Sequence, residues 1–493
     1  MINAYTGTQI RAAEAGLLQG QDGASLMRRA AHGLAHHIMA LLRARYGGVY
    51  GAHVAALIGT GNNGGDGLYA MARLAGRGVA CTAILLGGHA HPEGLEAFTR
   101  SGGRVVSGGG TPDSSARAQA RRFREASEAL ADVDLVIDAV LGTGARGAIA
   151  LPEIPADVPV VACDLPSGVD ADTGAASDGV LAADLTVTFG ALKTGLCVGA
   201  GRRLAGNIEV VDIGLEDLLG QPDLRVLTST DAEAATPRPT SQDHKYSRGV
   251  LGLIAGSPRY PGAAVLAATA AVNTSVGMLR TLAPERAAEL ITQAVPEAVP
   301  ADGADVRVDA WAMGPGIDDD PAQLAAVEQV LGAGLPAIVD ASALRTLQPG
   351  QGHARLILTP HVGELEDLLV RVGVRVTAAD ISEDPVRWAR WAAVGYSSVV
   401  LLKGHTTICV APDGYTIINL NGPAPLATAG SGDVLTGMLG AMLATSHAGG
   451  GTRALVELAA TAAYRHGDAA RVAGQHGGFG AGQLARVAGQ GSF

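Results

Sequence analysis

Short β-branched runs alternate with Ala-rich or amphipathic segments along almost the whole 493-residue chain, and the alternation stops once and starts again. Parallel strands need a crossover between them, and the usual crossover is a helix laid on the face of the sheet. A chain of this pattern is therefore α/β, with strands buried on both faces. The runs predict strands at 53–58, 80–86, 135–139, 158–163, 185–189 and 208–211 in the first half. In the second half they predict strands at 250–255, 278–282, 310–313, 337–340, 356–359, 399–403 and 406–410. Helices fit 7–40, with Thr8 as N-cap, and also 67–76 and 116–131. Gly404-His405 reads as a tight hairpin turn between the last two strands. From Asp217 to about Ser247 the pattern lapses into Pro, Thr and Ser. That stretch reads as a linker or packed connection, and it divides the chain into α/β/α domains at 1–218 and 219–493.

Composition narrows the function classes. Hydrophobic residues make up 47% and charged residues 17%, which supports a large core and argues against disorder. The net charge of −11 and an aromatic content of 3% argue against a nucleic-acid partner, since both phosphate attraction and base stacking are undersupplied. Cys81, Cys163, Cys197 and Cys409 are widely spaced in apolar runs, so buried thiols in a reducing compartment are expected. The N-terminus has no basic patch followed by an apolar stretch, and 263–279 is broken by Thr, Asn, Ser and Gly. No membrane association is expected, and the cytoplasm is the expected location. No zinc is expected at His36-His37 or at His89 and His91, because no Cys or carboxylate cluster accompanies them.

The strand at 53–58 runs into Gly59-Thr60-Gly61-Asn62-Asn63-Gly64-Gly65-Asp66-Gly67 and then a helix. Glycines let a backbone approach phosphate, helix-start amides hold it, and Asn and Asp oxygens are hard ligands that suit a cation. Two further strand ends carry related chemistry: Asp138 leading to Leu141-Gly142-Thr143-Gly144-Ala145-Arg146-Gly147, and Asp164-Leu165-Pro166-Ser167-Gly168. Ligands of open α/β sheets bind beyond the carboxyl ends of the strands, so the three ends are expected to share one crevice.

These blocks resemble the NAD(P)H-hydrate epimerase domain, as do Phe189-Gly190-Ala191-Leu192-Lys193-Thr194-Gly195 and the opening Tyr5-Thr6-Gly7-Thr8-Gln9. The resemblance implies a Rossmann-like fold and interconversion of the R and S forms of NADHX and NADPHX, the hydrates of reduced nicotinamide cofactors. It implies that Asn62, Asn63, Gly64, Gly65 and Asp66, with Gly142, Thr143, Gly144, Ala145, Arg146, Gly147 and Ala148, surround the substrate. It also implies K⁺ on Asn63, Asp138 and Ser167, and Asp164 as the acid/base that also contacts substrate. Lys193 stays open between a phosphate partner and a solvated surface lysine.

In the second half, Leu426-Ala427-Thr428-Ala429-Gly430-Ser431-Gly432-Asp433 places a Gly-Ser-Gly turn before a helix. Unpartnered amides and the macrodipole make that helix start an anion hole. An aspartate there would repel phosphate, so Asp433 is assigned a task, the removal of a proton from a hydroxyl that attacks a phosphoryl group. Thr359-Pro360-His361-Val362-Gly363-Glu364, Lys403-Gly404-His405-Thr406-Thr407 and Gly314-Pro315-Gly316 complete a set of cradle, cation and base.

These blocks resemble the ribokinase-like superfamily, and within it the NAD(P)H-hydrate dehydratase branch, which His244-Lys245 and Tyr260-Pro261-Gly262-Ala263-Ala264 also fit. The resemblance implies that Ala264, Gly316, His361 and Asp433 contact the hydrate. Lys403, Gly404, His405, Thr406, Thr407 and Gly432 would hold the nucleotide, ADP as phosphoryl donor. Mg²⁺ is implied on the phosphates, with Glu364 a candidate for its shell. Asp318 stands where that family more often carries glycine, and 474–493 matches the family poorly, so no role is assigned to it. The order of epimerase before dehydratase matches bacterial fusions and favours ADP over ATP. Large Ala-rich helices in both halves lead us to expect a homo-oligomer. The competing readings are a ribokinase-type kinase of a vitamin or sugar alcohol with a regulatory N-terminal half, and an N-terminal half that is a nucleotide-sensing interaction module without catalysis.

Overall fold

The computed structural model describes residues 1–18, 23–87, 89–108, 124–143, 151–236, 238–446 and 451–490. They form two compact units, one over Asn3–Asp223 and one over Leu224–Phe493 together with Met1–Ile2. The sequence places the division after residue 218.

The first unit is built on seven parallel strands. Their order across the sheet is Arg104–Ser107, Ala80–Leu85, His53–Ile58, Leu135–Ala139, Val160–Cys163, Leu185–Phe189 and Asn207–Val211. This is the doubly wound order, and it reverses between His53–Ile58 and Leu135–Ala139. Strand His53–Ile58 shows why both faces are covered. Val54, Ala56 and Ile58 pack with Leu34, Ile38, Leu68 and Met71, while Ala55 and Leu57 pack with Ala126 and Leu130. The α/β/α reading holds here.

Several local expectations are corrected. The first helix is two, Gly7–Leu18 and Gly23–Tyr46. Thr6 rather than Thr8 serves its start: Gln9 N donates to Thr6 Oγ1, and Thr6 N donates to Gln9 Oε1. The expected helix at 116–131 is described only from residue 124, where 124–130 is helical. The helix expected from Gly67 starts at Asn62 and runs to Ala75, so the glycine-rich turn is itself its first turn. Packing overrides glycine's weak helix propensity. A Cβ on Gly64 would lie 2.2 Å from the Gly59 carbonyl oxygen, and one on Gly67 would lie 2.6 Å from Ala139 Cβ.

The second unit carries a sheet with Val299–Pro300, Met278–Leu282, Val250–Ile254, Ala310–Met313, Ala337–Val339, Leu356–Leu358 and Val399–Leu402 running parallel. Thr407–Val410 and Thr416–Asn419 continue it antiparallel, and Leu224–Val226 pairs parallel with Thr416–Asn419. Of the two readings of the stretch after Asp217, a linker or a packed connection, the second describes its structured part. Its strand is followed by helix Ser229–Ala235, opened by a Thr228/Asp231 capping box. A three-residue strand is too short to show a period. The hairpin between Val399–Leu402 and Thr407–Val410 has a four-residue loop, Lys403–Thr406, with Gly404-His405 only its middle.

Helices Pro261–Asn273 and Ser431–Thr445 lie on this sheet and approach closely: a Cβ on Gly437 would meet the Ala267 carbonyl at 2.2 Å. The glycine-rich C-terminus is integral, because helix Ala481–Arg486 buries Leu484 and Ala485 against Ala270 and Met438. Among the described residues no helix is long and apolar enough to cross a membrane. All four cysteines are buried thiols. Burial pushes Cys81 and Cys197 up to about 12, and Cys163 and Cys409 also rise.

Candidate active sites

In the first unit the strand ends at the topological switch open into a cavity of about 750 Å³. Asn62, Asn63, Asp66, Gly142, Thr143 and Asp164 line it, as the sequence led us to expect, and Arg11, Glu14, His91 and Phe189 join them. Gly64 and Gly65 lie buried in the helix start, against the Gly59 carbonyl and against His91 and Met27. Gly144, Ala145, Arg146, Gly147 and Ala148 fall outside the described residues.

Asp164 is held by its surroundings. Its backbone is left-handed, with φ of 68°, which aspartate tolerates better than most residues. One carboxylate oxygen accepts from Lys193 Nζ, Thr188 Oγ1 and Phe189 N, and the other accepts from Thr143 Oγ1. Lys193 is neither surface-exposed nor open to phosphate. It is 1% exposed and donates also to the Phe189 carbonyl. Burial works against charge on Asp164, but the Lys193 ammonium and the hydrogen bonds outweigh it and hold the carboxyl below its usual range. Asp66 moves the opposite way. Burial raises it, and the charges of Asp164 and Glu14 add to the rise. One cavity thus presents an ionised carboxylate beside one inclined to keep its proton, the division of labour that acid–base chemistry needs. Nothing in the sequence around Lys193 marked it as buried.

The proposed K⁺ ligands are brought together. Asp138 is fully buried and accepts from Ser167 Oγ at 2.5 Å and from Ser167 N at 2.7 Å. Ser167 Oγ also accepts from Leu141 N, and the next residue, Gly142, lies against the Asn63 side chain. The Asn63 amide is buried with neither its oxygen nor its nitrogen bonded. A buried, unsatisfied amide oxygen beside a carboxylate and a hydroxyl is a donor set that fits a hard monovalent cation.

In the second unit Gly430, with φ of 87°, turns the chain into helix Ser431–Thr445, and Asp433 stands in its first turn. Lys403 Nζ lies 2.6 Å from Asp340 Oδ1 and 3.8 Å from Glu364 Oε2. A Cβ on Gly432 would lie 3.7 Å from that ammonium, so the cation sits over the helix start. Burial pushes Asp433 up to about 6, with Asp340 adding to the rise and Lys403 opposing it. His361 caps helix Val362–Arg371 in a capping box with Glu364 and leaves its ring 61% exposed; Lys403 N donates to the neighbouring Pro360 carbonyl. Glu364 therefore serves the helix cap and Lys403. Gly316, with φ of 66°, lies against the Tyr260 carbonyl at the start of helix Pro261–Asn273. Ala264 is fully buried in that helix, under Gly256. In the hairpin, Gly404 and His405 are exposed, Thr406 is buried and Thr407 half-buried. Asp340, which ended a predicted strand, was not singled out, although a carboxylate at a strand's carboxyl end was the signal that found Asp138 and Asp164.

The profile described as NAD(P)H-hydrate dehydratase matches residues 251–488, and that described as YjeF-related protein N-terminus matches residues 23–195. A bifunctional NAD(P)H-hydrate repair enzyme of Mycobacterium tuberculosis (strain ATCC 25618 / H37Rv) is 40% identical over 454 residues, which cover 90% of this chain and 89% of the relative. This chain belongs to the bifunctional NAD(P)H-hydrate repair enzyme family. A repair enzyme of the same description from Escherichia coli (strain K12) is 34% identical over 427 residues, covering 79% of this chain and 76% of its own. Among solved structures, an ADP/ATP-dependent NAD(P)H-hydrate dehydratase from Bacillus subtilis, co-crystallized with ATP/Mg²⁺, is 30% identical with a TM-score of 0.47, covering 54% of this chain and 96% of that one.

Proposed function

We propose that the chain repairs hydrated nicotinamide cofactors in two steps, one in each unit, in the cytoplasm and as a homo-oligomer. In the first unit the ionised Asp164 takes the C6 hydroxyl proton, an aldehyde forms at C6 as the C6–N1 bond breaks, and the electron pair left on N1 takes up a proton held by Asp66; the reverse steps on the other face of the aldehyde exchange the R and S forms of NADHX or NADPHX. Asn62, Asn63, Asp66, Gly142 and Thr143 surround the substrate, with Gly64 and Gly65 shaping the turn beneath. Asn63, Asp138 and Ser167 would hold K⁺, which would supply fixed positive charge at the edge of the cavity.

In the second unit Asp433 deprotonates the C6 hydroxyl of the S form. The oxygen attacks the terminal phosphorus of ADP, and AMP departs. Loss of phosphate from C6 and of a proton from C5 then restores NADH or NADPH. Lys403 with the Gly432 amide and the loop through Thr407 holds the nucleotide, and Gly316, His361 and the Ala264 backbone face the hydrate. Mg²⁺ neutralises charge on the phosphates when bound.

The observation that carries this reading is Asp433 at an amide-rich helix start beside Lys403, with its carboxyl poised near neutrality. Purified protein given mixed hydrate epimers and Mg²⁺, with ADP or ATP supplied separately, tests it. The near-ultraviolet absorbance of the reduced nicotinamide should rise until both epimers are consumed. A halt when the S form is exhausted would remove the epimerase. No rise with either nucleotide, alongside phosphorylation of another alcohol, would favour a kinase. Asp164→Ala should stop exchange of the epimers and leave dehydration of the S form intact.

A further inference from the structure

Asp340 follows strand Ala337–Val339 and occupies the N-cap place of the short helix Ala341–Arg345, yet its side chain makes no cap bond. The carboxylate, 1% exposed, is instead spent entirely on two other segments. Oδ1 accepts from Lys403 Nζ at 2.6 Å, and Oδ2 accepts from Thr436 Oγ1 at 2.6 Å. Thr436 is itself buried and stands one turn after Asp433 on the same helix.

The backbone around Asp340 is equally committed. Ala341 takes a left-handed φ of 47° without being glycine. Gly314 takes φ of 126°, and a Cβ there would lie 1.8 Å from the Asp340 carbonyl oxygen, so the Gly314-Pro315-Gly316 loop rests on this residue. Strain of this kind persists only where the surroundings over-determine it.

We propose that Asp340 is the positioning residue of the C-terminal site, one buried carboxylate that fixes the nucleotide-binding lysine and the helix bearing the base relative to each other. This rests on the reading of Lys403 and Asp433 given above. Lysine is a point charge on a flexible stem, and without a tether it samples many positions. Bonded to Asp340, its ammonium keeps N–H groups for the phosphates over Gly432. Thr436 carries the same constraint into the helix, so the base and the cation share one reference point. The charged and titratable groups facing Asp433 and its helix start are Asp340, Lys403, Glu364 beyond Lys403, and His466, whose ring meets Ser431 Oγ at 3.4 Å.

The test uses the full-length protein with Asp340→Asn, which keeps an acceptor and removes the charge. The KM for ADP should rise and kcat fall, lowering kcat/KM on the order of tenfold or more. The acid limb of dehydration should move to lower pH, because a negative neighbour of Asp433 has gone, while the epimerase rate stays at the wild-type value. Added to Lys403→Met, Asp340→Asn should cost nothing further in KM. Wild-type KM with an unmoved acid limb, or a fully additive double variant, would overturn the proposal. Should Asp340→Asn not fold, Thr436→Val decides, since it keeps the ion pair and cuts the tie to the helix. A fall in kcat at unchanged ADP KM supports the proposal and unchanged kcat overturns it. Asp433→Asn separates the two levels: full turnover there sinks the reading of the site itself, whereas a dead Asp433→Asn with a wild-type Asp340→Asn sinks only the positioning role.

Discussion

Lys193 and Asp164 form an ion pair inside the N-terminal unit, with side chains 1% and 10% exposed. The lysine spends its charge on the carboxylate and leaves none for substrate. Lys193→Met would leave burial of Asp164 opposed only by its hydrogen bonds from Thr143, Thr188 and Phe189, and so raise its carboxyl. Removing one partner of a buried pair costs about 3–5 kcal/mol, so the thermal midpoint of this unit should drop. Epimerisation should fall by about 10²–10⁴-fold, with its acid limb moved to higher pH. In the wild type the depressed carboxyl stabilises the fold. That contribution is complete above the unfolded value of about 3.9 and is lost as pH falls through the lower folded value. A Lys193→Met protein with an unshifted epimerase profile would show that the pair does not set the protonation of Asp164.

Dehydration should have an unusual acid limb. Asp433 is pushed up to about 6, and a base must be ionised to act, so kcat/KM should fall as pH drops through about 6. An ordinary exposed aspartate would place the limb near about 4. Asp433→Asn should bind nucleotide and lose turnover; isothermal titration with ADP alongside the rate measurement separates the two. Loss of binding and turnover together would make Asp433 structural.

Gly64 is required by space. Its Cβ position lies 2.2 Å from the Gly59 backbone oxygen, and backbone cannot swing aside as a side chain can. Gly64→Ala should destabilise the first unit by about 1–3 kcal/mol through overpacking and open the turn beneath the cavity. Chemical denaturation followed by circular dichroism reads the first effect, and the epimerase KM reads the second.

Asn63→Ala removes the amide whose oxygen and nitrogen are both buried and unbonded. Relief of an unsatisfied group predicts little loss of stability in the absence of K⁺. The same change should abolish any gain in melting temperature or epimerase rate on exchanging tetramethylammonium for K⁺. A K⁺ response equal to that of the wild type would place the ion elsewhere.

Fold class was legible because buried parallel strands leave continuous apolar runs, and His53–Ile58 and Leu135–Ala139 stand where those runs begin and end. The candidate sites were legible where a carboxylate stands at a strand's end, as Asp164 does, or in a glycine-rich helix start, as Asp66 and Asp433 do. What escaped was decided by distant partners. Lys193 reads as any lysine until Asp164 is placed beside it. Asp340 reads as a strand terminus until Lys403, 63 residues later, and Thr436, 96 residues later, reach it. Strand Leu224–Val226 escaped because its pairing with Thr416–Asn419, and no pattern of its own, makes it a strand.

The buried cysteines bear on how such a protein endures. A thiol must be reachable and must shed its proton before peroxide or an electrophile can take it. Cys81, Cys163, Cys197 and Cys409 satisfy neither condition. In the folded chain none of the four sulfhydryls is placed to react, so a thiol-alkylating reagent should label them only after denaturation.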